Sequence, residues 1–201
     1  MASTTTAFNG TFEIEGEGLG RLEDGRLVKD VVGTLPILVK LLDSDERLVI
    51  QAHPTVPCAR RLFNSPVGKT ECWYFLPGTA PDACVYLGFK PGITREKWEA
   101  AFWGGSRSCA TAAETAAPHA DAQERVPPVK QILGPELTDK FEMWRVAGGG
   151  MLSLPRDRAV AVVTEGAGEV NGLAVKKGDR LLVFDERRFD VSGSATLVAC
   201  A

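Results

Sequence analysis

From residue 139 to residue 201, the sequence alternates short β-prone runs with tight-turn signals, and this rhythm restricts the possible folds more than any other feature. The dipeptide Asn171-Gly172 is a strong hairpin signal, and glycine-containing turns are expected at residues 166–169 and 176–179. The runs between the turns predict strands at residues 142–146, 150–154, 159–164, 168–170, 180–184 and 195–200. A compact antiparallel barrel or sandwich fits this pattern.

The first half of the chain combines short apolar runs with two short helical segments. We predict strands at residues 35–42, 48–54, 68–74 and 84–89. One helix is predicted at residues 56–63, and a second at residues 95–102 with Thr94 as its cap. Together with the C-terminal rhythm, these elements predict a mainly β fold with few short helices.

Composition and charge exclude several classes of protein. The 23 Lys and Arg residues nearly balance 26 Asp and Glu residues, and no basic cluster is long enough for a nucleic-acid or membrane surface. No apolar stretch approaches the length of a membrane span, and no export signal follows the polar N-terminus. The five cysteines are odd in number and scattered, which favours reduced thiols in a cytoplasmic protein. They are Cys58, Cys72, Cys84, Cys109 and Cys200.

Two of the predicted strands carry polar side chains that a buried strand would lack. In an extended chain, Gln51 and His53 share one face, and Lys69 and Glu71 share one face. If the two faces meet, an amide, an imidazole and a carboxylate converge beside an ammonium group. That combination suits a divalent metal such as zinc, with a positive group for an anionic substrate. The alternatives are satisfied polar groups at Gln51 and His53 and a plain ion pair between Lys69 and Glu71.

The motifs of these two segments resemble those of type I mannose-6-phosphate isomerases, which are zinc-dependent cupin enzymes. The resemblance rests on Gln51-Ala52-His53-Pro54, followed by Gly68-Lys69-Thr70-Glu71-Cys72-Trp73-Tyr74. The run at residues 35–43 resembles the strand that leads into the family's site. The segments at residues 165–168 and 177–179 resemble, less specifically, its second β-domain.

This resemblance implies a fold, a reaction and a set of site residues. The fold would be a cupin-like jelly-roll β-barrel with a smaller C-terminal cupin-like domain. Gln51, His53 and Glu71 would be zinc ligands, and Lys69 would be a catalytic residue in the substrate pocket. The reaction would interconvert mannose 6-phosphate and fructose 6-phosphate through a cis-enediol, with a small sugar phosphate as the partner.

The chain departs from the family pattern at two places that carry chemistry. The family's fourth ligand is a histidine in a Gly-Thr-x-His-Ala-type segment, and its catalytic arginine lies in a Thr-Tyr-Arg-type segment; neither is present. The second histidine of the chain, His119, lies in an alanine-rich stretch that does not match. The chain therefore resembles a family member shortened at the N-terminus and in the middle. The alternative function is a catalytically silent module that binds a sugar phosphate or a metal.

Composition and resemblance together divide the chain into four parts. Residues 1–33 form a poorly defined N-terminal segment, and residues 34–103 form a partial metal-site cupin domain. Residues 104–138 are dominated by small residues and are predicted to be a linker. Residues 139–201 form a C-terminal cupin-like β-domain.

Overall fold

The structure is a computed structural model that divides into two compact units. It describes residues 5–9, 21–22, 24–27, 30–31, 33, 37–42, 51–76, 84–103, 112–116, 127–184 and 187–201. Residues 1–42 and 124–201 belong to the first unit, called the β unit below, and residues 43–123 belong to the second, called the central unit. In the described ranges, no helix is both long enough and apolar enough to cross a membrane.

The elements whose bounds the structure describes are thirteen strands and two helices. The strands are β1 (Thr5–Asn9), β2 (Arg21–Leu22), β3 (Cys84–Phe89), β4 (Ala112–Ala116), β5 (Val129–Leu133), β6 (Met143–Ala147), β7 (Met151–Ser153), β8 (Arg158–Glu165), β9 (Ala167–Val170), β10 (Leu173–Lys176), β11 (Arg180–Phe184), β12 (Arg188–Gly193) and β13 (Thr196–Cys200). The helices are α1 (Val56–Phe63) and α2 (Arg95–Trp103).

The β unit is a sandwich of two antiparallel sheets around one apolar core. One sheet has seven strands in the order β2-β1-β11-β8-β13-β6-β5, and the other has four in the order β10-β9-β12-β7. Val146, Leu181 and Leu197 of the first sheet share a buried cluster with Phe189 and Val191 of the second. Two antiparallel sheets over a common core are the arrangement expected of a cupin-like β fold. The predicted mainly β, cupin-like fold class is confirmed.

Strand β8 shows why this part of the chain must form the middle of a sheet. It pairs with β11 on one side and β13 on the other, and six successive residues from Ala159 to Thr164 are buried. Ala161 and Val163 contribute to the core between the sheets, whereas Val160 packs with Leu182 on the opposite face. Since successive strand residues point to opposite faces, a continuous apolar run is buried only where both faces are covered.

The predicted Asn171-Gly172 hairpin is present between β9 and β10. Both residues have positive φ, 50° and 81°, and Val170 pairs directly with Leu173 across the turn. Such a two-residue loop matches the twist of the paired strands. The Asn171 side chain also holds the turn against β12. Its Nδ2 donates to the Arg188 carbonyl at 2.8 Å, and its Oδ1 accepts from the Asp190 amide at 2.8 Å.

The central unit contains the remaining described elements. Strands β3 and β4 pair antiparallel, and α2 begins where Thr94 Oγ1 accepts the amide hydrogen of Lys97 at 3.3 Å. The rings of Phe89 and Trp98 meet edge to face at 6.2 Å. The predicted helices at residues 56–63 and 95–102 and the predicted strand at residues 84–89 are therefore confirmed.

Three predicted strands are wrong wherever the structure describes them. Residues 37–42, 51–55 and 67–76 contain neither helix nor strand. The two segments that carry the candidate ligands cannot pair as strands beyond Pro54. Pro54 has no amide hydrogen to donate to a neighbouring strand, and α1 begins two residues later. The described residues of these segments share a single backbone hydrogen bond, from the Lys69 amide to the Pro54 carbonyl at 3.0 Å.

Several strands were not predicted. In the β unit these are β1, β2, β5, β10 and β12, and in the central unit β4. Strand β5 falls inside the stretch predicted as a linker and pairs with β6. The four-part division of the chain remains a prediction.

Replacing Asn171 should destabilise the β unit. In Asn171→Ala, two side-chain hydrogen bonds are lost and alanine must adopt positive φ, so we expect the free energy of unfolding to fall by about 2–3 kcal/mol. Asn171→Gly loses the same hydrogen bonds but adopts positive φ without strain, and should lose about 1–2 kcal/mol. Urea unfolding followed by circular dichroism measures both. Equal losses in the two variants would contradict the role given to the positive φ.

Candidate functional site

Helix α1 connects the two segments that carry the candidate ligands, residues 51–55 and 67–76. It begins at Val56, with Pro57 in its first turn, and ends at Phe63. Asn64 then adopts the left-handed conformation, with φ 53° and ψ 30°, and its amide donates to the Ala59 carbonyl. This cap turns the chain back, and the Lys69 amide reaches the Pro54 carbonyl. This hydrogen bond joins the segment that precedes α1 to the segment that follows it.

Three side chains converge where the two segments meet, and we call them the His53–Lys69–Glu71 cluster. His53 Nε2 lies 2.9 Å from Glu71 Oε2. Lys69 Nζ lies 3.2 Å from the same Glu71 oxygen and 3.1 Å from His53 Nε2. The side chains of His53 and Glu71 are 31% and 30% exposed, and that of Lys69 is 50% exposed. The cluster is therefore partly buried yet open to a small molecule.

Hydrogen-bond chemistry gives the His53 ring nitrogen two alternative partners. Lys69 Nζ carries only donors, so His53 Nε2 accepts from it when that nitrogen lacks a proton. When Nε2 carries a proton, it donates to Glu71 Oε2 instead. The Glu71 carboxylate accepts from Lys69 in both cases. The heavy atoms thus support either tautomer of the imidazole without a change of rotamer.

The donor atoms of His53 and Glu71 lie close enough for both to reach one metal ion. Zinc binds imidazole nitrogen and carboxylate oxygen at about 2.0–2.2 Å with tetrahedral geometry, which puts neighbouring donor atoms roughly 3.4 Å apart. The separation of 2.9 Å between His53 Nε2 and Glu71 Oε2 is that of a hydrogen bond, so the two atoms would move apart by about half an ångström to share an ion. The Lys69 ammonium lies beside the same two atoms, and its charge would oppose that of a metal ion sharing them.

The third predicted ligand is not brought to the cluster by any described contact. Gln51 is exposed, and among the residues in the described ranges no hydrogen bond or ion pair joins it to His53, Lys69 or Glu71. The same ranges contain no group of three or more His, Cys, Asp and Glu side chains that could hold a metal ion. The assignment of Gln51, His53 and Glu71 as zinc ligands stays a prediction, and His119 lies outside the described residues.

Cys72 follows Glu71 directly but is not suited to act as a nucleophile. Its side chain is half-buried, and this burial raises the pKa of the Cys72 thiol above its usual value. A thiol with a raised pKa remains protonated and unreactive near neutral pH. Cys58, Cys72 and Cys200, the cysteines whose side chains are described, are all free thiols.

The backbones of Pro54 and Gly68 bring the two segments together. Pro54 supplies the acceptor for the Lys69 amide, and Gly68 allows the close approach. Neither residue was singled out as functional from the sequence, since a single glycine before a lysine is a weak signal. The contact between the segments was foreseen, but the strand pairing expected to produce it is absent from their described residues.

The β unit has an open cavity of about 330 Å³ lined by Asn171, Arg187, Arg188 and Asp190. Three of its four lining side chains already have structural partners. Arg188 pairs with Asp190 at 2.9 Å, and Asn171 bonds to the backbone of β12. The cavity therefore adds no candidate for the chemistry of the cluster.

Comparison with known proteins shows a local similarity to isomerases. No family model matches the chain. The chain is 38% identical over 73 residues to the probable mannose-6-phosphate isomerase GmuF of Bacillus subtilis, covering 35% of this chain and 23% of that protein. It is 46% identical over 41 residues to the mannose-6-phosphate isomerase ManA of Bacillus subtilis, covering 20% of this chain and 13% of that protein. The chain thus spans less than a quarter of the length of these relatives.

Two solved structures of Escherichia coli YhhW also match. The first is 20% identical with a TM-score of 0.33 and covers 45% of this chain and 43% of that one. The second, the bacterial pirin YhhW in complex with nickel(II), is 21% identical with a TM-score of 0.33, covering 45% and 44%. A similarity this low carries no inference about function. The two curated relatives support a cupin-like isomerase relationship over part of the chain, which is a coarser conclusion than membership of the type I mannose-6-phosphate isomerases.

Proposed function

We propose that this chain is a zinc-dependent aldose–ketose isomerase that interconverts mannose 6-phosphate and fructose 6-phosphate through a cis-enediol in the cytoplasm. The observation that supports the proposal most is the convergence of His53, Lys69 and Glu71 within 3.2 Å of one another. These residues belong to the two motifs that resemble the family. The local similarity to two mannose-6-phosphate isomerases agrees with this reading.

In this proposal His53 and Glu71 hold the zinc ion, with Gln51 as a third ligand. The donor set consists of one carboxylate and two neutral groups, so the ion would keep a net positive charge. Zinc, when bound, supplies a Lewis acid that stabilises negative charge developing on a substrate oxygen. The contacts among His53, Lys69 and Glu71 support the roles proposed for these three side chains.

Lys69 is the catalytic residue of the proposal. Its ammonium has three N–H donors, and the two contacts to Glu71 and His53 leave at least one of them for a substrate oxygen. A charge-assisted hydrogen bond to O1 or O2 stabilises the cis-enediol and helps to move a proton between those oxygens. The overall reaction moves one proton from C2 to C1 and one from O2 to O1. No oxidant, reductant or second substrate is needed.

A second candidate function is a catalytically silent module that binds a sugar phosphate or a metal ion. Two observations favour it. The chain covers at most 23% of the length of these relatives, and it has no counterpart of the family's fourth ligand and arginine segments. In this case His53 and Glu71 would keep their binding role, while Lys69 would attract the phosphate or sugar oxygens without turnover.

Removing the Glu71 charge should abolish zinc binding. Glu71→Gln keeps the shape of the side chain but removes the anionic ligand, so we expect zinc affinity to fall by more than about 100-fold, since loss of an outer-shell partner alone costs about 10–100-fold. Zinc content after equilibrium dialysis, measured by mass spectrometry, checks this. Glu99→Gln is the matched control, because Glu99 lies in the same unit and pairs with Arg95. Full zinc content in Glu71→Gln would show that Glu71 is not a ligand.

Replacing Lys69 should separate turnover from metal binding. In Lys69→Met the positive charge beside His53 and Glu71 disappears, so zinc affinity should stay the same or rise. Turnover should fall by about 100-fold or more, the usual effect of losing an acid–base group. A coupled assay for fructose 6-phosphate and a zinc titration measure the two quantities.

The matched control for this experiment is Lys97→Met, because Lys97 donates to the Gly92 carbonyl in the same unit. Loss of zinc in Lys69→Met would contradict the division of roles. Zinc binding without turnover in the unaltered chain would favour the silent module. If the unaltered chain binds no zinc, neither the zinc-dependent isomerase nor a metal-binding module is correct.

A further inference from the structure

Gly68 lies at the closest approach of the two segments. A Cβ atom added to it would lie 2.6 Å from the Pro54 carbonyl oxygen, 2.9 Å from the Val56 nitrogen and 3.0 Å from the Thr55 carbonyl carbon. All three atoms belong to the backbone, so no side-chain rotation can relieve the collision. Any residue other than glycine must therefore push the two segments apart by several tenths of an ångström.

The contact between Gly68 and Pro54 lies one residue from His53 and one residue from Lys69 along the chain. His53 immediately precedes Pro54, and Lys69 immediately follows Gly68, with Glu71 two residues further on. The same place holds the backbone hydrogen bond from Lys69 to Pro54 at 3.0 Å. A shift here changes the separations of the three side chains, and the two contacts of Lys69, at 3.1 and 3.2 Å, already lie at the long end of the hydrogen-bond range.

We infer that Gly68 is a positioning residue, whose lack of a side chain sets the spacing that places Lys69 and Glu71 against His53. The inference deepens the proposed function and rests on it for its consequence in metal binding. The position of Lys69 relative to His53 can be measured whether or not the chain binds zinc. Failure of this inference is thereby distinguishable from failure of the proposed function.

The central unit offers a control glycine of a different kind. Gly92 has φ +80°, and a Cβ added to it would meet nothing within 4 Å. Gly92→Ala therefore strains the backbone without forcing two segments apart. Gly68 differs in that its restriction is one of space, as its three backbone contacts show. Comparing the two alanine variants separates displacement of the cluster from a general loss of stability.

The first readout is the His53 ring in the full-length, metal-free chain. Nitrogen NMR of the imidazole is recorded at fixed pH with and without Lys69→Met, in the unaltered background and in Gly68→Ala. The chain has only two histidines, so His119→Gln assigns the signals. We expect Lys69→Met to shift the His53 Nε2 resonance in the unaltered and Gly92→Ala backgrounds and to leave it nearly unchanged in Gly68→Ala. An equal shift in all three backgrounds would overturn the inference.

The second readout is zinc affinity, measured by competition with a chromophoric chelator. We expect Gly68→Ala to bind zinc about 10–100-fold more weakly, the range found when the groups that orient metal ligands are removed. Gly92→Ala should bind within about twofold of the unaltered chain, because its strain lies elsewhere. Equal weakening in both variants would overturn the inference, since the loss would then follow stability. Absence of zinc binding in the unaltered chain would overturn the proposed function, and the NMR comparison would still decide the role of Gly68.

Discussion

Burial of apolar side chains between two antiparallel sheets is the interaction on which the β unit depends. Leu181, Leu197 and Phe189 are fully buried, and they come from different sheets or from strands that are not neighbours in the sequence. The seven-stranded sheet is also covered on its outer face, where Val31 and Val39 pack against a cluster of Leu22, Val160 and Leu182. Because both faces of β8 and β11 are shielded, these two strands tolerate no charged residue in their interiors.

The central unit is held together by different means. Of its side chains that the structure describes, only Ala59 is buried, whereas Phe63, Trp73 and Leu87 are exposed. Its described order comes from the caps of α1 and α2, the pairing of β3 with β4, and the bond from Lys69 to Pro54. Local hydrogen bonds such as these contribute about 1 kcal/mol each. The candidate site thus lies on a part of the chain whose geometry depends on a few specific contacts.

The sequence predicted the β unit well wherever strands carry an apolar pattern between recognisable turns. The bounds of β11 were predicted correctly, and the Asn171-Gly172 hairpin was foreseen because few dipeptides adopt two successive positive φ angles. Strand β12 was missed, since Arg188 and Asp190 suggest a surface loop, although Phe189 and Val191 alternate with them and are buried. At the site, three of the four side chains expected to meet are in contact, whereas Gln51 has no described contact with them. How the segments meet was not predicted, because the approach of two irregular segments leaves no periodic pattern.

The loop that contains α1 is closed at its base, and this determines where the chain can gain residues without disturbing the site. The hydrogen bond from Lys69 to Pro54 and the close approach of Gly68 hold the base of the loop between Thr55 and Gly68, and the Asn64 cap turns the chain back toward that base. Lengthening a closed loop costs only about 0.6 kcal/mol for each doubling of its length. Related sequences, or an engineered reporter inserted after Pro66 and so beyond the cap, can therefore lengthen this loop while the spacing of the three clustered side chains is preserved.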